Sequence, residues 1–505
     1  MKPAAAVDAV LAIFRRDPGD LFPFYIFSAA VPAVSQVIML SGLAVVYAYL
    51  ATTGRIAELQ TELAAVDLEP PSPEAEPELV AVWAEQFLPI LEILFPPVVQ
   101  GVLIVTLALA IVSSIVLFAA VSAGQLSVCY ARLQSDRGLP AGIAGVRRYW
   151  LTFLGLLVLE GILWIGMTVG LIGIVAVAFA IATVFGLFVA IAAFAVWTLL
   201  AIGIRAVFAF TPPAVVVEDV GVIGALRGSV SFIRANVASA LIYYVVAIGL
   251  LGGFGTLVST LSVVGMGSFA ALFGLFLITP GLDLFKTGLY GGARGTVSPP
   301  GTPTTGLREG IIAGIRRGLN EMVGFIRATP LLHGLAVGLL ATGFVVGWTL
   351  AAPYESLIEA SIAARLEGHI PPVAALEFFG NNWTVALTVA FAGVLLGIPT
   401  AFTLWFNGFM FGGYFRLEAN LSELVAFVVP HGVLELPAIF IAGALGFSLA
   451  ASAWRAFRGN TSRQEFADDL ERAFWIAVGI GILLLLAAII EGFVSPYYYR
   501  PFLTV

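Results

Sequence analysis

The chain has 505 residues, of which 60% are hydrophobic and 11% are charged, and its mean hydropathy is +1.02. A soluble domain is nearer half apolar and a quarter charged, so this composition excludes an ordinary soluble protein. The net charge of -7 argues against nucleic-acid binding, and a single cysteine, Cys129, excludes an intrachain disulfide and a cysteine-based metal cluster.

Long apolar blocks dominate the chain. A bilayer core about 30 Å thick needs about 20 apolar residues per helix, and backbone groups in hydrocarbon must find partners within the segment. The blocks lack the strict apolar and polar alternation of a membrane β-barrel. We therefore predict an all-α, polytopic transmembrane helical bundle of about 11 spans, six in the first half and five in the second.

The predicted first half begins with a short amphipathic helix over residues 4–17. An acidic loop at 52–95 follows the first span, and Pro70-Pro71-Ser72-Pro73 breaks any continuous helix within it. Spans three and four share one apolar block, and we expect the turn between them near residues 170–173 or 186. A polar interruption at 211–236 follows that block. The six predicted spans cover 22–51, 97–130, two helices within 150–208, 237–258 and 264–287.

A stretch rich in Gly, Pro and Thr at 290–306 is typical of a flexible linker. It divides the chain into a six-span membrane domain at 1–289 and a five-span membrane domain at 307–505. A polar loop at 353–381 follows the first span of the second half. The five predicted spans of this half cover 331–352, two helices within 383–418, 424–451 and 473–494.

Arginine determines the predicted orientation, because basic residues accumulate in cytoplasmic loops. With six and then five spans, one side receives the arginine-rich segments 15–16, 132–148, 205–234, 286–327 and 455–472. We therefore expect a multi-pass protein of the cytoplasmic membrane, with its N-terminus in the cytoplasm and its C-terminus outside. Arg416 is the exception, since it falls at the outer end of span nine. Lys2 and Lys286 are the only lysines. This acidic, lysine-poor composition suggests a halophilic archaeon, and a genome with a high GC content would give a similar composition.

Polar side chains within the predicted spans are the candidate functional residues, because polar groups are costly in hydrocarbon. His431 and Glu435 are four residues apart and therefore share one helix face. Asn382 opens span eight and Asn407 lies within span nine. The predicted intramembrane polar cluster consists of Asn381, Asn382, Asn407, His431 and Glu435, with Glu377 as a candidate addition.

Three interpretations of this cluster remain: a structural polar core, a path for protons or ions, and a zinc site. A hydrogen-bonded polar core would determine helix register, since buried polar groups need partners. A His/Glu pair inside a bundle could instead carry protons or ions, and Pro430 and Pro437 beside it are typical of interrupted transporter helices. A zinc site needs at least three protein ligands, of which His431 and Glu435 supply two and Glu377 could supply a third. We expect the polar core, and we assign no catalytic residue, no metal and no cofactor.

Three motifs of the second half occur in the same order and spacing as in a known family. The first is Glu377-Phe378-Phe379-Gly380-Asn381-Asn382, and the second is Phe406-Asn407-Gly408 followed by Gly412-Gly413. The third is Pro430-His431-Gly432-Val433-Leu434-Glu435-Leu436-Pro437-Ala438, continuing into Ile441-Ala442-Gly443. With these motifs and five spans, residues 310–500 resemble the SpoIIM (stage II sporulation protein M) family.

The resemblance implies a role in organising other proteins. In spore-forming bacteria the family member is a membrane scaffold that holds peptidoglycan-degrading partners during engulfment. Archaeal relatives have neither that wall nor sporulation, so the resemblance implies only the general role of a membrane scaffold or organiser. The first half resembles the six-span membrane domains found beside glycerophosphodiester phosphodiesterases, through residues 213–219 and 224–229.

We therefore predict a non-enzymatic scaffold in the cytoplasmic membrane, with a transporter or channel subunit as the alternative and an intramembrane metalloenzyme as a third class. The expected partners are membrane lipids and other membrane proteins, with a homo-oligomer also open. No nucleic acid is expected as a partner. The chain contains no Gly-x-x-x-x-Gly-Lys-Ser/Thr sequence, so no nucleotide site is predicted.

Overall fold

The computed structural model describes residues 2–66, 77–301, 303, 305–355 and 360–498. The predicted Pro70–Pro73 break, Glu359 of the predicted outer loop and the tail from Tyr499 lie outside the described residues. Within the described residues the chain is helical, with one isolated β-bridge between Ala360 and Glu418. The predicted all-α fold is confirmed.

Twelve α-helices form the first half of the described chain. A π-helical turn, Gly274–Ile278, joins the last two of them. They are α1 Pro3–Arg16, α2 Pro23–Thr52, α3 Arg55–Ala65, α4 Pro77–Glu85, α5 Leu88–Leu94, α6 Pro97–Leu133, α7 Gly138–Ile181, α8 Thr183–Glu218, α9 Val222–Ala235, α10 Val237–Val263, α11 Gly267–Phe273 and α12 Thr279–Arg294.

Eight α-helices form the second half of the described chain. They are α13 Leu307–Ala328, α14 Pro330–Ala351, α15 Ile362–Arg365, α16 Pro371–Phe391, α17 Ile398–Leu417, α18 Leu421–Phe457, α19 Arg463–Phe493 and α20 Ser495–Tyr498.

Nine helices in the described part of the chain are long and apolar enough to cross a membrane. They are α2, α6, α7, α8, α10, the joined α11–α12 segment, α14, α18 and α19. The shorter α16 and α17, of 21 and 20 residues, occupy the predicted spans eight and nine. Large apolar side chains are exposed on many of these helices, as expected of surfaces that contact lipid. The protein is therefore a multi-pass membrane protein.

Several predicted boundaries differ from those of the structure, among them the start of α16, which lies at Pro371 inside the predicted polar loop 353–381. The break between α7 and α8 falls at the extended residue Ala182, between the two predicted turns. Helix α8 continues through Pro212 and Pro213 to Glu218, so the first part of the predicted polar interruption is helical. Helix α12 extends to Arg294, five residues into the predicted linker. It continues because Tyr290 is fully buried and its hydroxyl donates to Glu218.

The chain divides into two compact units. The first comprises Met1–Val31 and Val116–Val505, and the second comprises Pro32–Ile115. In the second unit, the hydroxyls of Ser35 and Ser114 are 2.5 Å apart, and Gly42 packs closely on Thr106. These small residues let two long apolar helices approach closely without a hydrophobic driving force in lipid.

In the first unit, a carboxylate fixes the start of α7. Asp20 accepts hydrogen bonds from the backbone N–H groups of Gly138 and Leu139, at 2.6 and 2.9 Å, and forms an ion pair with buried Arg132. A negative charge is favourable at a helix N-terminus, where backbone N–H groups have no intrahelical partner. Burial raises the pKa of Asp20, and the two backbone hydrogen bonds oppose that shift.

Reciprocal glycine contacts join α14 and α17 in the first unit. A Cβ atom on Gly343 or Gly347 would collide with the carbonyl oxygen of Trp405 or Phe409, respectively. From the other side, a Cβ on Gly408 or Gly412 would collide with the carbonyl oxygens of α14. Each helix therefore carries a Gly-x-x-x-Gly pair that brings the two backbones into direct contact.

The two sequence halves also contact each other within the first unit. The N–H of Ser268 in α11 donates to the carboxylate of Glu377 in α16, at 2.9 Å. Gly380 packs against the backbone of Phe269, and Arg137 at the start of α7 pairs with Asp468 of α19 at 2.8 Å. The halves on either side of the predicted linker are therefore packed together.

Candidate functional site

The site begins with His431 and Glu435 on α18. This helix starts at the cap residue Asn420, whose side chain accepts from the N–H of Glu423, and it continues through Pro430 and Pro437 to Phe457. His431 is 4% exposed, and its imidazole packs edge-on against Phe427. The spacing of four residues places Glu435 one turn further along the same face, as the sequence predicts.

A third ionisable group, Glu491, comes from the last turn of α19. The His431 Nε2 atom lies 3.8 Å from the Glu435 Oε2 atom and 3.9 Å from the Glu491 Oε1 atom. One ligand atom from each of the three residues lies within 4.8 Å of the other two. Separations of 3.8 and 3.9 Å are too long for direct hydrogen bonds. We call His431, Glu435 and Glu491 the imidazole–carboxylate cluster.

Two further side chains orient the cluster. The Asn382 amide in α16 donates to the Glu435 Oε1 atom at 3.1 Å, on the carboxylate oxygen that does not face His431. The His431 Nδ1 atom is 2.9 Å from the hydroxyl of Ser495, which is fully buried at the start of α20. Three helices besides α18 therefore contribute to the site: α16, α19 and α20.

The other predicted residues take different positions. The Asn381 side-chain amide donates to the side-chain Oδ1 atom of Asn382 at 3.1 Å and extends the polar chain to an exposed position. The Asn407 amide donates to the Thr403 carbonyl within its own helix, at 2.7 Å. Glu377 accepts from the Ser268 N–H. The structure thus brings Asn382, His431 and Glu435 together, whereas Asn407 and Glu377 form bonds elsewhere.

Sequence reasoning missed Glu491 and Ser495. Glu491 is a lone acidic residue at the end of an apolar block, where it resembles an interfacial residue of the last span. The sequence did contain a feature that could have pointed to Glu491, because an ionisable residue within a predicted span is by default a candidate functional residue. Ser495 lies just beyond that span, and only the fold brings it to His431.

A second buried polar cluster, also missed, lies in the first half. The Lys286 Nζ atom is 2.7 Å from the Asp283 Oδ1 atom, one turn apart on α12, and both side chains are largely buried. The Tyr25 hydroxyl donates to the Asp283 Oδ2 atom at 3.0 Å and lies 3.1 Å from the Cys129 sulfur. We call Tyr25, Cys129, Asp283 and Lys286 the lysine–aspartate cluster.

The two clusters differ in what they could do chemically. The lysine–aspartate cluster pairs one positive with one negative side chain and adds a donor to the carboxylate, so its charges are already compensated. The imidazole–carboxylate cluster brings two carboxylates near each other beside one imidazole. Two carboxylates in a low-dielectric site cannot easily both ionise, so such a site favours a bound cation or a shared proton.

Sequence comparisons give independent information on both halves. The sequence model of the stage II sporulation protein M family (SpoIIM) matches residues 336–496, and a domain of unknown function, DUF7847, matches residues 144–288. The comparisons do not confirm the resemblance of the first half to the membrane domains found beside glycerophosphodiester phosphodiesterases. No solved structure matches the chain.

One relative extends the comparison. An uncharacterized protein of Methanocaldococcus jannaschii is 24% identical over 120 residues, which cover 23% of this chain and 67% of the relative. The family match at 336–496 includes all of α16, α18 and α19, and therefore every residue of the imidazole–carboxylate cluster. Residues 336–496 of this multi-pass membrane protein are therefore similar to the membrane domain of the SpoIIM family.

Proposed function

We propose that this protein is a non-enzymatic scaffold that organises partner proteins in the cytoplasmic membrane. The observation that supports the proposal best is the reciprocal glycine contact of α14 and α17. Because Gly343 and Gly347 meet the backbone of α17 while Gly408 and Gly412 meet the backbone of α14, sliding either helix would bring larger side chains against the carbonyl groups that now face glycine. A bundle held by backbone contact presents one fixed outer surface.

Two similar contacts support the same conclusion. A Cβ on Gly393, in the turn between α16 and α17, would collide with the backbone of Gly446 in α18. Gly318 of α13 packs against the backbone of Gly479 in α19. Transport by alternating access requires one bundle to move against another, whereas these contacts favour a single arrangement. The SpoIIM family match is consistent with a scaffold.

The proposed setting follows from the arginine distribution. We place the N-terminus in the cytoplasm and the C-terminus outside, with lipids and other membrane proteins as partners and a homo-oligomer as a further arrangement. Tags at the two ends should differ in accessibility to a membrane-impermeant reagent in intact cells. Equal accessibility of both tags would contradict an odd number of spans.

The scaffold proposal is tested by partner retention. The tagged full-length chain is cross-linked in its native membranes, and the recovered proteins are quantified. We expect the same partners, at constant ratio to the bait, from the wild type and Glu435→Gln. Gly412→Leu should lose them, because the larger side chain displaces α14. Equal recovery from Gly412→Leu, or recovery no greater than from an unrelated membrane bait, contradicts the proposal.

The imidazole–carboxylate cluster favours a second candidate, an ion or proton path. Purified protein in liposomes containing a pH-sensitive dye separates the two candidates. The scaffold predicts a proton leak equal to that of empty liposomes. The path predicts a protein-dependent flux that Glu435→Gln abolishes, because an amide cannot take up a proton. A flux of this kind would contradict the scaffold proposal and support a transporter instead.

We also propose that the two halves are separate domains joined by the linker at 290–306. Each buried polar cluster is built from one half only, so residues 307–505 contain a complete set of contacts around His431. Expressed alone, residues 307–505 should insert and remain monodisperse in detergent. Aggregation of this fragment in every detergent that keeps the full-length chain monodisperse would contradict the division, and the contacts Glu377–Ser268 and Arg137–Asp468 would then account for it.

A further inference from the structure

The spacing of the imidazole–carboxylate cluster suits a metal ion better than direct bonding. Zinc bonds to nitrogen and carboxylate oxygen are about 2.1 Å long, so two ligands of a tetrahedral ion lie about 3.4 Å apart. The His431 Nε2 atom is 3.8 and 3.9 Å from the two carboxylate oxygens. Small side-chain rotations would shorten these distances to those between ligands of one ion.

The groups around the cluster match those that orient metal ligands. A ligating imidazole usually bonds through its other ring nitrogen to an oxygen, and this bond determines the tautomer. If the His431 Nδ1–H donates to the Ser495 hydroxyl, the Nε2 lone pair points towards Glu435 and Glu491. The Asn382 amide likewise holds the far oxygen of Glu435 and leaves the near one for an ion.

The three side chains that would bind the ion are largely buried. The His431 side chain is 6% exposed, and those of Glu435 and Glu491 are 15% and 13% exposed. A cation would compensate the two carboxylates where water screens them poorly. One imidazole with two carboxylates suits zinc or manganese, whereas magnesium and calcium prefer oxygen ligands alone.

We propose that His431, Glu435 and Glu491 bind one divalent transition-metal cation of the zinc type, with Asn382 and Ser495 orienting the ligands. This site does not depend on the scaffold proposal. It ties the first half of α18, where His431 and Glu435 lie, to the end of α19, because Glu491 is two residues from the last residue of that helix. Three protein ligands also leave one coordination position for a water molecule or a partner group.

Zinc binding to the full-length protein tests the site. The protein is purified in detergent with a tag that lacks histidine, stripped with a chelator, and dialysed against Zn²⁺ before the metal content is measured. We expect one Zn²⁺ per chain. His431→Gln and Glu491→Gln should weaken binding by at least about 100-fold, and Ser495→Ala by about 10- to 100-fold, because the serine acts through the histidine.

Matched variants elsewhere in the same half serve as controls. The substitutions Glu377→Gln and His333→Gln alter a glutamate and a histidine that lie away from the cluster. Both variant proteins should bind zinc as tightly as the wild type does. The His333 Nδ1 atom contacts the Thr329 carbonyl within its own helix. Zinc should also raise the unfolding midpoint of the wild type and of Glu377→Gln, but not that of His431→Gln.

Three outcomes would overturn the proposal. The first is a zinc content far below one per chain in the stripped and reloaded wild type. The second is equal affinity in the cluster variants and the controls, which would indicate adventitious surface binding. The third is binding of Mg²⁺ or Ca²⁺ in preference to Zn²⁺. If His431→Gln aggregates, the wild-type stoichiometry and the Ser495→Ala affinity still decide the question, since that serine supplies no ligand.

Discussion

In the first half of the chain, the Lys286 ammonium lies 2.7 Å from the Asp283 carboxylate, and Tyr25 donates to the same carboxylate. In the second half, His431 lies 3.8 and 3.9 Å from two carboxylates and bonds directly to neither. The first arrangement is closed, because its charges and hydrogen bonds satisfy one another. The second brings one ligand atom from each of three residues within 4.8 Å of the other two, a spacing at which the three could hold a metal ion. The distances between partners therefore distinguish a compensated ion pair from a group of candidate metal ligands.

The largest expected effect comes from breaking the closed pair. Lys286→Met leaves the Asp283 carboxylate buried without its cation, and we expect a loss of about 3–5 kcal/mol in the free energy of unfolding, measured in detergent. The double variant Asp283→Leu/Lys286→Met should recover most of that loss, because no buried charge remains. Lys2→Met, at the only other lysine and exposed, is the control. A single variant as stable as this control would show that the pair is not a buried unit.

A smaller effect is expected at the tyrosine of the same cluster. Tyr25→Phe removes the hydroxyl that donates to Asp283, and a hydrogen bond to a charged group contributes about 1.5–3 kcal/mol. Thermal unfolding of the purified variant measures the loss. Tyr47→Phe, at a residue of the same helix that is 54% exposed, should have no effect. Equal behaviour of the two variants would mean that the lysine alone compensates Asp283.

The smallest expected effect is in the open cluster. Without metal, Glu435→Gln should change the free energy of unfolding by less than about 1 kcal/mol, because the amide oxygen still accepts from Asn382. Glu435→Leu removes that acceptor and should cost about 1–3 kcal/mol. The same unfolding measurement in chelator checks both. A loss in Glu435→Gln as large as that in Lys286→Met would show that the carboxylate is a closed structural partner, and the contrast between the clusters would fail.

The sequence alone was enough for the fold class and for one pair of site residues. Apolar blocks of about 20 residues have few alternatives to membrane helices, because lipid offers no partners for backbone N–H and C=O groups. His431 and Glu435 could be placed on one face because helical spacing is a local property. The Gly-x-x-x-Gly spacing of 343/347 and of 408/412 can be read from the sequence, but only the structure shows that the two pairs meet.

The tertiary structure alone decided which residues complete each cluster. Glu491 and Ser495 lie on segments far along the chain from His431, and Tyr25 comes from a helix distant in sequence from Asp283 and Lys286. Asn382 and Asn407 looked equivalent, yet only the packing of α16 beside α18 turns Asn382 towards Glu435, while Asn407 bonds to its own backbone. Periodicity defines the face of one helix, but which faces meet depends on the close packing of all the helices together.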